Sequence, residues 1–426
     1  MSIASNKNNT RWRLTRGVIT SCLLASLSTT AVAESSVTLK VTYAPIRYKD
    51  MYEQIAREFE TQNAGVSIEL VGYNDYEDLL QATLRASITG SVPDVSHQGM
   101  GFIPVLYEQE IARRLDGFIA QEEDWAGQGY LESLEEVCRH DGGVYCLPFS
   151  VSVPVLFYNA DLIAAAGSDP ASFPTTWSEV IELADRIHHG DASAVGIYYD
   201  HDSDYMFQAI MGSFGSPFME GDRVGFGGPQ GMRAYEVLGD IAETGDAYMS
   251  REQARQAFIG GKIGIFANSS SILGSFTDQI GSAFELGVAP FPLEVDDGRV
   301  PAGGNAVVVL TNDPSKQTAA WNYVKFATGP RAQTIMATTT GYAPVNTHAV
   351  DGEEYLKQYY LENPNAKVAP SQLPYLTAWF SFPGPDAIRL TKVISDSMAD
   401  VLSGRTGSSE ALSALVQDAQ TLVQAN

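Results

Sequence analysis

Phe149-Ser150-Val151-Ser152-Val153-Pro154-Val155-Leu156-Phe157-Tyr158-Asn159 is the stretch on which the reading of the fold turns. It is an extended, apolar run at which the character of the chain changes, and it reads as a crossover between two lobes. Upstream, Val37–Tyr43 is β-branched and alternating, so a strand. Met51, Tyr52, Ile55 and Phe59 then recur at helical spacing up to Asn63-Ala64-Gly65. Val66–Val71 is a second strand, Asn74 or Asp75 can cap a helix carrying Leu79, Leu80 and Leu84, and Pro93-Asp94-Val95 leads into a third strand. Alternating strands and helices predict an α/β layer with a mostly parallel sheet.

Downstream of the crossover, helical patterns cover 160–167 and 176–188, the second opened by Pro174-Thr175-Thr176-Trp177. A β-rich stretch from Gly264 reaches a second, glycine-marked crossing at Gly303-Gly304-Asn305. Leu412, Leu415, Val416, Ala419, Leu422 and Val423 form an amphipathic tail helix, read as core packing. A chain that leaves one α/β lobe, builds a second and returns predicts a ligand cleft between hinged lobes. The expected lobes are 34–149 with 305–340, and 150–304 with 341–426.

Composition sets the outer bounds. The 426 residues are 44% hydrophobic, enough for packed cores and against wholesale disorder, and the length suggests two domains. With 27 Lys plus Arg against 51 Asp plus Glu, the formal charge of −24 disfavours nucleic acid or an anionic membrane as partner. Residues 1–33 differ from the rest. Lys7, Arg11, Arg13 and Arg16 precede the apolar run Gly17–Ala25, then Ala31-Val32-Ala33, a secretory leader with cleavage after Ala33. The apolar run is too short to span a bilayer.

Cys22 falls within this leader, leaving Cys138 and Cys146 on either side of an Asp141-Gly142-Gly143 turn. Facing across a hairpin in an oxidising compartment, they are expected to pair. The rival reading, a metal site, lacks a fourth ligand. None of the six histidines has metal-site spacing, and the chain has neither a Gly-x-Ser-x-Gly elbow nor a phosphate loop. Carboxylate pairs carry little information among 51 acids. The reading is therefore of a binding protein without catalytic residues, cofactor or metal. A secreted hydrolase and a secreted adhesion or scaffold protein are the alternatives of other classes.

Pro154–Asn159, Ala166-Gly167, Pro174–Glu179, Gly260–Phe266 and Thr340–Val345, taken in order, resemble the extracellular solute-binding proteins of ABC importers for sugars. The resemblance covers essentially the whole exported chain. Tyr360–Ala366 followed by Pro383–Arg389 is most similar to the branch that binds sn-glycerol 3-phosphate. It implies an α/β, two-lobed periplasmic-binding-protein fold. It further implies a monomer in the periplasm that takes a phosphorylated polyol, glycerol 3-phosphate or a glycerophosphodiester, and serves inner-membrane ABC permease subunits. A neutral mono- or oligosaccharide is the other ligand reading.

Carrying over that branch's ligand positions gives Tyr76, Ser152, Ser269, Gly304, Tyr342 and Arg389. Arg389 would supply a planar fork for two phosphate oxygens, with Ser269 donating to the same anion. Gly304 would let the backbone approach the ligand, and Tyr76 and Tyr342 would stack and hydrogen-bond. Two positions depart from the branch. Met100 stands where a carboxylate is usual, and His201-Asp202-Ser203-Asp204-Tyr205 replaces a tryptophan-bearing segment. Tyr205 is then a candidate for the stacking surface and Asp202 or Asp204 for the carboxylate.

Overall fold

A computed structural model of the chain describes residues 36–130, 137–191, 193–245, 248–383 and 386–424. The leader expected over 1–33 lies outside the described residues. The strands are β1 Val37–Tyr43, β2 Val66–Gly72, β3 Val95–Gly99, β4 Leu147–Ser152, β5 Pro154–Asn159, β6 Val195–Tyr199, β7 Ile263–Ser269, β8 Leu286–Pro290, β9 Val300–Val309 and β10 Leu376–Ala378. They form two separate sheets. The first has the order β10-β9-β3-β1-β2, with β4 also paired to β9; the second runs β8-β5-β7-β6. β1 is parallel to β2 and β3, and β9 returns antiparallel to β3.

The longer helices are α1 Lys49–Gln62, α2 Tyr76–Ile88, α3 Trp177–Gly190, α4 Asp204–Ser213, α5 Pro229–Ala242, α6 Arg251–Ile259, α7 Leu273–Ile280, α8 Pro314–Thr328, α9 Pro330–Thr339, α10 Ala387–Leu402 and α11 Ser408–Gln424. Their ends follow local chemistry. Asp75 Oδ1 accepts the Asp78 amide at 2.8 Å to open α2, and Ser250 with Gln253 forms a capping box on α6. In α1, Met51, Tyr52, Ile55, Ala56 and Phe59 are buried on one face. In α11, Leu412, Leu415, Ala419, Leu422 and Val423 are buried, so the tail helix packs on the core. The Leu, Ile, Val, Met and Phe side chains among these each contribute about 1.5–3 kcal/mol when fully buried. Among the described residues no helix is long and apolar enough to cross a membrane.

The stretch 149–159 is not one strand. It breaks at Val153, with β4 in the first sheet and β5 in the second. The break is pinned: Val153 N donates to Ser270 Oγ at 3.2 Å, and Ser270 N donates back to the Val153 carbonyl at 2.8 Å. Pro154, which has no N–H, takes the first place of β5 opposite Ser269. The chain returns to the first sheet between β8, which ends at Pro290, and β9, which begins at Val300 and is buried along its whole length.

Cys138 and Cys146 are joined by a disulfide, Cα atoms 5.1 Å apart, so both thiols are used and the rival metal reading falls. The hairpin between them pairs Arg139 with Val144 and turns through Asp141 and Gly142, both with positive φ (44° and 71°), as a two-residue turn between twisted strands requires.

Candidate functional site

Where the two strand crossings meet, a buried polar floor forms. Asn305 Nδ2 donates to Tyr76 Oη at 3.0 Å, to Ser150 Oγ at 3.0 Å and to Tyr52 Oη at 3.3 Å. Its Oδ1 lies 3.4 Å from His97 Nδ1. Burial holds His97 down at about 3, so this imidazole is neutral at physiological pH. Tyr76 shares a hydrogen bond with Tyr342. Tyr205 Oη donates to the Ser152 carbonyl at 3.2 Å and is also bonded to Ser269. Burial pushes Tyr76, Tyr205 and Tyr342 above the usual phenol range; they remain neutral hydroxyls.

Of the six residues carried over from the resemblance, Tyr76, Ser152, Ser269, Gly304 and Tyr342 converge on this floor. Gly304 owes its identity to packing as well as to any ligand. Its φ is +102°, and a Cβ there would overlap the Ser150 carbonyl oxygen and sit 3.2 Å from the Tyr342 ring. Arg389 is not brought to the group. Helix α10 turns Thr391, Lys392, Ser395, Asp396 and Ala399 to the cleft, whereas Arg389 is exposed and outside the lining.

Over the floor opens a cleft of about 610 Å³. Tyr76, Glu77, Gly99, Met100 and Phe102 line one side; His201, Asp202, Asp204, Tyr248, Trp379 and Phe380 are among those lining the rest. Trp379 is held in place. Its Nε1 donates to Asp204 Oδ2 at 3.2 Å, its ring lies 5.1 Å from that of Tyr205, and it covers Gly101. Gln208 Nε2 donates to the same Asp204 oxygen at 2.9 Å. Desolvation raises the Asp204 carboxyl, and these two donors oppose the shift.

The 201–204 turn is braced from below. Asp200 Oδ2 accepts from Arg251 Nε at 2.9 Å and Asn268 Nδ2 at 3.0 Å, while Asp200 Oδ1 accepts the Asp202 amide at 3.2 Å. His201 stacks on Tyr248, ring centroids 5.4 Å apart, and its buried Nε2 has no partner. Among the described residues lining the cleft, Lys392 is the one lysine or arginine, and Asp396 engages it at 2.8 Å. Aromatic faces and carboxylates without an unpaired cation suit a ligand with C–H faces and many hydroxyls, not a free anion.

Of the residues singled out at the two departures, Met100, Asp202 and Asp204 line the cleft; Tyr205 does not, being buried behind Trp379 with its hydroxyl on the Ser152 carbonyl. Sequence reasoning missed Trp379, Phe380 and Tyr248. The tryptophan absent from 201–205 enters instead from Ala378-Trp379-Phe380-Ser381-Phe382, an aromatic run just ahead of the sequence Pro383-Gly384-Pro385. Several aromatics on a loop were the available signal. Among the described residues no group of three or more His, Cys, Asp or Glu could hold a metal ion.

A profile of the bacterial extracellular solute-binding proteins matches residues 54–363. The chain belongs to this family. The sn-glycerol-3-phosphate-binding periplasmic protein of Escherichia coli is similar at 22% identity, over 87% of this chain and 89% of the relative. Two solved structures share the fold. A Mycobacterium tuberculosis protein of the same name class, in complex with glycerophosphocholine, superposes with a TM-score of 0.78 at 20% identity, covering 90% of this chain and 98% of its own. The cyclic α-maltosyl-1,6-maltose binding protein of Arthrobacter globiformis gives 0.77 at 20% identity, covering 92% of this chain and all of its own. The protein therefore has the two-lobed α/β periplasmic-binding-protein fold and is an extracellular solute-binding protein.

Proposed function

We infer that this protein captures a neutral carbohydrate and delivers it to an ABC permease without chemical change. One observation carries the choice of ligand. The cleft presents Trp379, Tyr76, Phe102 and Tyr248 together with Glu77, Asp202 and Asp204, and its one lysine is already paired. Carboxylates accept bonds from sugar hydroxyls and repel a phosphate, while aromatic faces cover the C–H side of a pyranose. The reading takes 34–149 with 305–340 and 150–304 with 341–426 as lobes that close by bending at Val153 and β9. It also takes the protein as a periplasmic monomer freed of a leader ending at Ala33. Catalysis, cofactor and metal have no place in it.

Capture of glycerol 3-phosphate or a glycerophosphodiester is the second reading. In its favour, Tyr76 lines the cleft, Ser152, Ser269, Gly304 and Tyr342 lie in the buried polar group beneath it, and the E. coli relative carries that name. It requires Arg389 to swing in from its exposed position. Thermal-shift and calorimetric titration against maltose, maltotriose, trehalose, glucose, glycerol 3-phosphate and glycerophosphocholine separates the two. At a ligand concentration 100-fold above Kd, binding adds about 2.7 kcal/mol of stability. A response to neutral sugars that persists in Arg389→Ala supports the first reading. A response to phosphorylated polyols alone, abolished in Arg389→Ala, overturns it.

A further inference from the structure

We propose that the protein also binds a tetrahedral oxyanion, phosphate or sulfate, in a second cavity gripped by Arg47 and Arg255. This cavity, about 500 Å³, shares no lining residue with the sugar cleft. Arg47 comes from the turn between β1 and α1, next to the first sheet. Arg255 comes from α6, just ahead of β7 in the second sheet. Tyr48 Oη already ties the two sides by donating to the Ser271 carbonyl at 3.0 Å.

The guanidinium donors are under-used. Arg255 Nε is buried and has no partner, and Nη1 only reaches Glu252 at 4.0 Å, a carboxylate that is 72% exposed. A buried unpaired donor costs stability until something accepts from it, and an exposed ion pair at that distance returns little. Arg47 is exposed, with its guanidinium 4.7 Å over the Tyr48 ring and Nη2 3.4 Å from Tyr48 Oη. Among the described residues no carboxylate pairs with it. Arg251, one turn before Arg255, by contrast places its Nε on both Asp200 oxygens, at 2.9 and 3.1 Å.

Two acids, Glu252 and Asp278, share the cavity with the two arginines, and Glu252 comes no nearer than 4.0 Å to Arg255. Burial and the neighbouring guanidinium groups of Arg251 and Arg47 hold Arg255 below the ordinary arginine range. Ser271, just ahead of α7, and Ser275 within it add hydroxyls to the wall, while the Thr340 hydroxyl is spent on the Met336 carbonyl at 2.7 Å. Donors arriving from two opposed elements fit an anion with oxygens on every side. A planar carboxylate would satisfy one guanidinium fork and leave the other.

Titration of the purified full chain with sodium phosphate and with sodium sulfate tests this, ionic strength being held constant with chloride. The expected result is a saturable rise in Tm and a calorimetric isotherm for both anions beyond any chloride effect. Binding weakens roughly tenfold or more in Arg255→Gln and in Arg47→Gln. It tightens in Glu252→Gln, an exposed change that removes the competing carboxylate and tests the site even if an arginine variant fails to fold. Arg57→Gln, the same loss of charge elsewhere on the surface, leaves it unchanged. A response that survives in the Arg47→Gln/Arg255→Gln double variant overturns the proposal, as does the lack of any saturable response beyond chloride. No arm uses the sugar, so a failed sugar panel leaves this result readable.

Discussion

Replacing Gly304 by alanine separates two reasons for a glycine at the strand crossing. If the glycine serves only to let a ligand approach, Gly304→Ala leaves the empty protein as stable as before and removes binding. The geometry says otherwise. At φ +102° an alanine adopts a backbone conformation that L-residues rarely visit, at about 1–2 kcal/mol for the left-handed region alone. Its Cβ would also overlap the Ser150 carbonyl oxygen. That carbonyl lies in β4, whose residues 147–152 are paired to β9, so it cannot turn aside as a side chain would. Overpacking of this kind costs about 1–3 kcal/mol. Together these place the loss at about 2–5 kcal/mol, visible as a lower denaturant midpoint in the absence of ligand. Urea or guanidinium unfolding followed by circular dichroism gives the number. An unfolding free energy within about 0.5 kcal/mol of wild type, the range of a neutral surface change, would refute the packing argument and return Gly304 to the ligand alone.

Other changes probe the cleft and the scaffold. Trp379→Ala removes the stacking face and one donor to Asp204, and should weaken sugar binding by roughly thirtyfold or more, the range of a hot-spot residue, in calorimetry. Cys138→Ser with Cys146→Ser should lower stability by somewhat less than about 3 kcal/mol, because the closed loop is short; denaturant unfolding with and without reductant measures it. Glu58 accepts two bonds from Arg331, which hold its carboxyl below the usual range. Its contribution is therefore present above the unfolded pKa, near 4.3, and is lost as pH falls through the folded value. Glu58→Gln should flatten the stability profile below pH 5 by about 0.2–1 kcal/mol, the partly exposed setting limiting the effect.

The α/β lobes and their crossings were legible because they rest on short-range patterns. β1, α1, β2 and α2 follow from alternation, helical spacing and the Asp75 cap, and the disulfide follows from two cysteines beside an Asp-Gly turn. The break at Val153 was less so. It depends on Ser270, 117 residues away, exchanging two hydrogen bonds with it. The floor of the site emerged through the matched positions Tyr76, Ser152, Ser269, Gly304 and Tyr342, yet Asn305, which binds Tyr76, Ser150 and Tyr52 at once, carries no local signal. Trp379 escaped for the same reason. Its role arises from where the segment 376–382 returns against Gly101 and Asp204, a tertiary fact that no periodicity encodes. Arg389 shows the converse. A residue type suited to phosphate can lie on a helix whose cleft-facing side is taken by Thr391, Lys392 and Ser395.

The sharpest test of neutral-sugar capture is calorimetric titration of wild type, Trp379→Ala and Arg389→Ala with maltose, maltotriose, trehalose and glucose, and with glycerol 3-phosphate and glycerophosphocholine. The account predicts that at least one of the sugars binds wild type and Arg389→Ala alike and is lost in Trp379→Ala. Binding confined to the phosphorylated compounds, and abolished by Arg389→Ala, would contradict it.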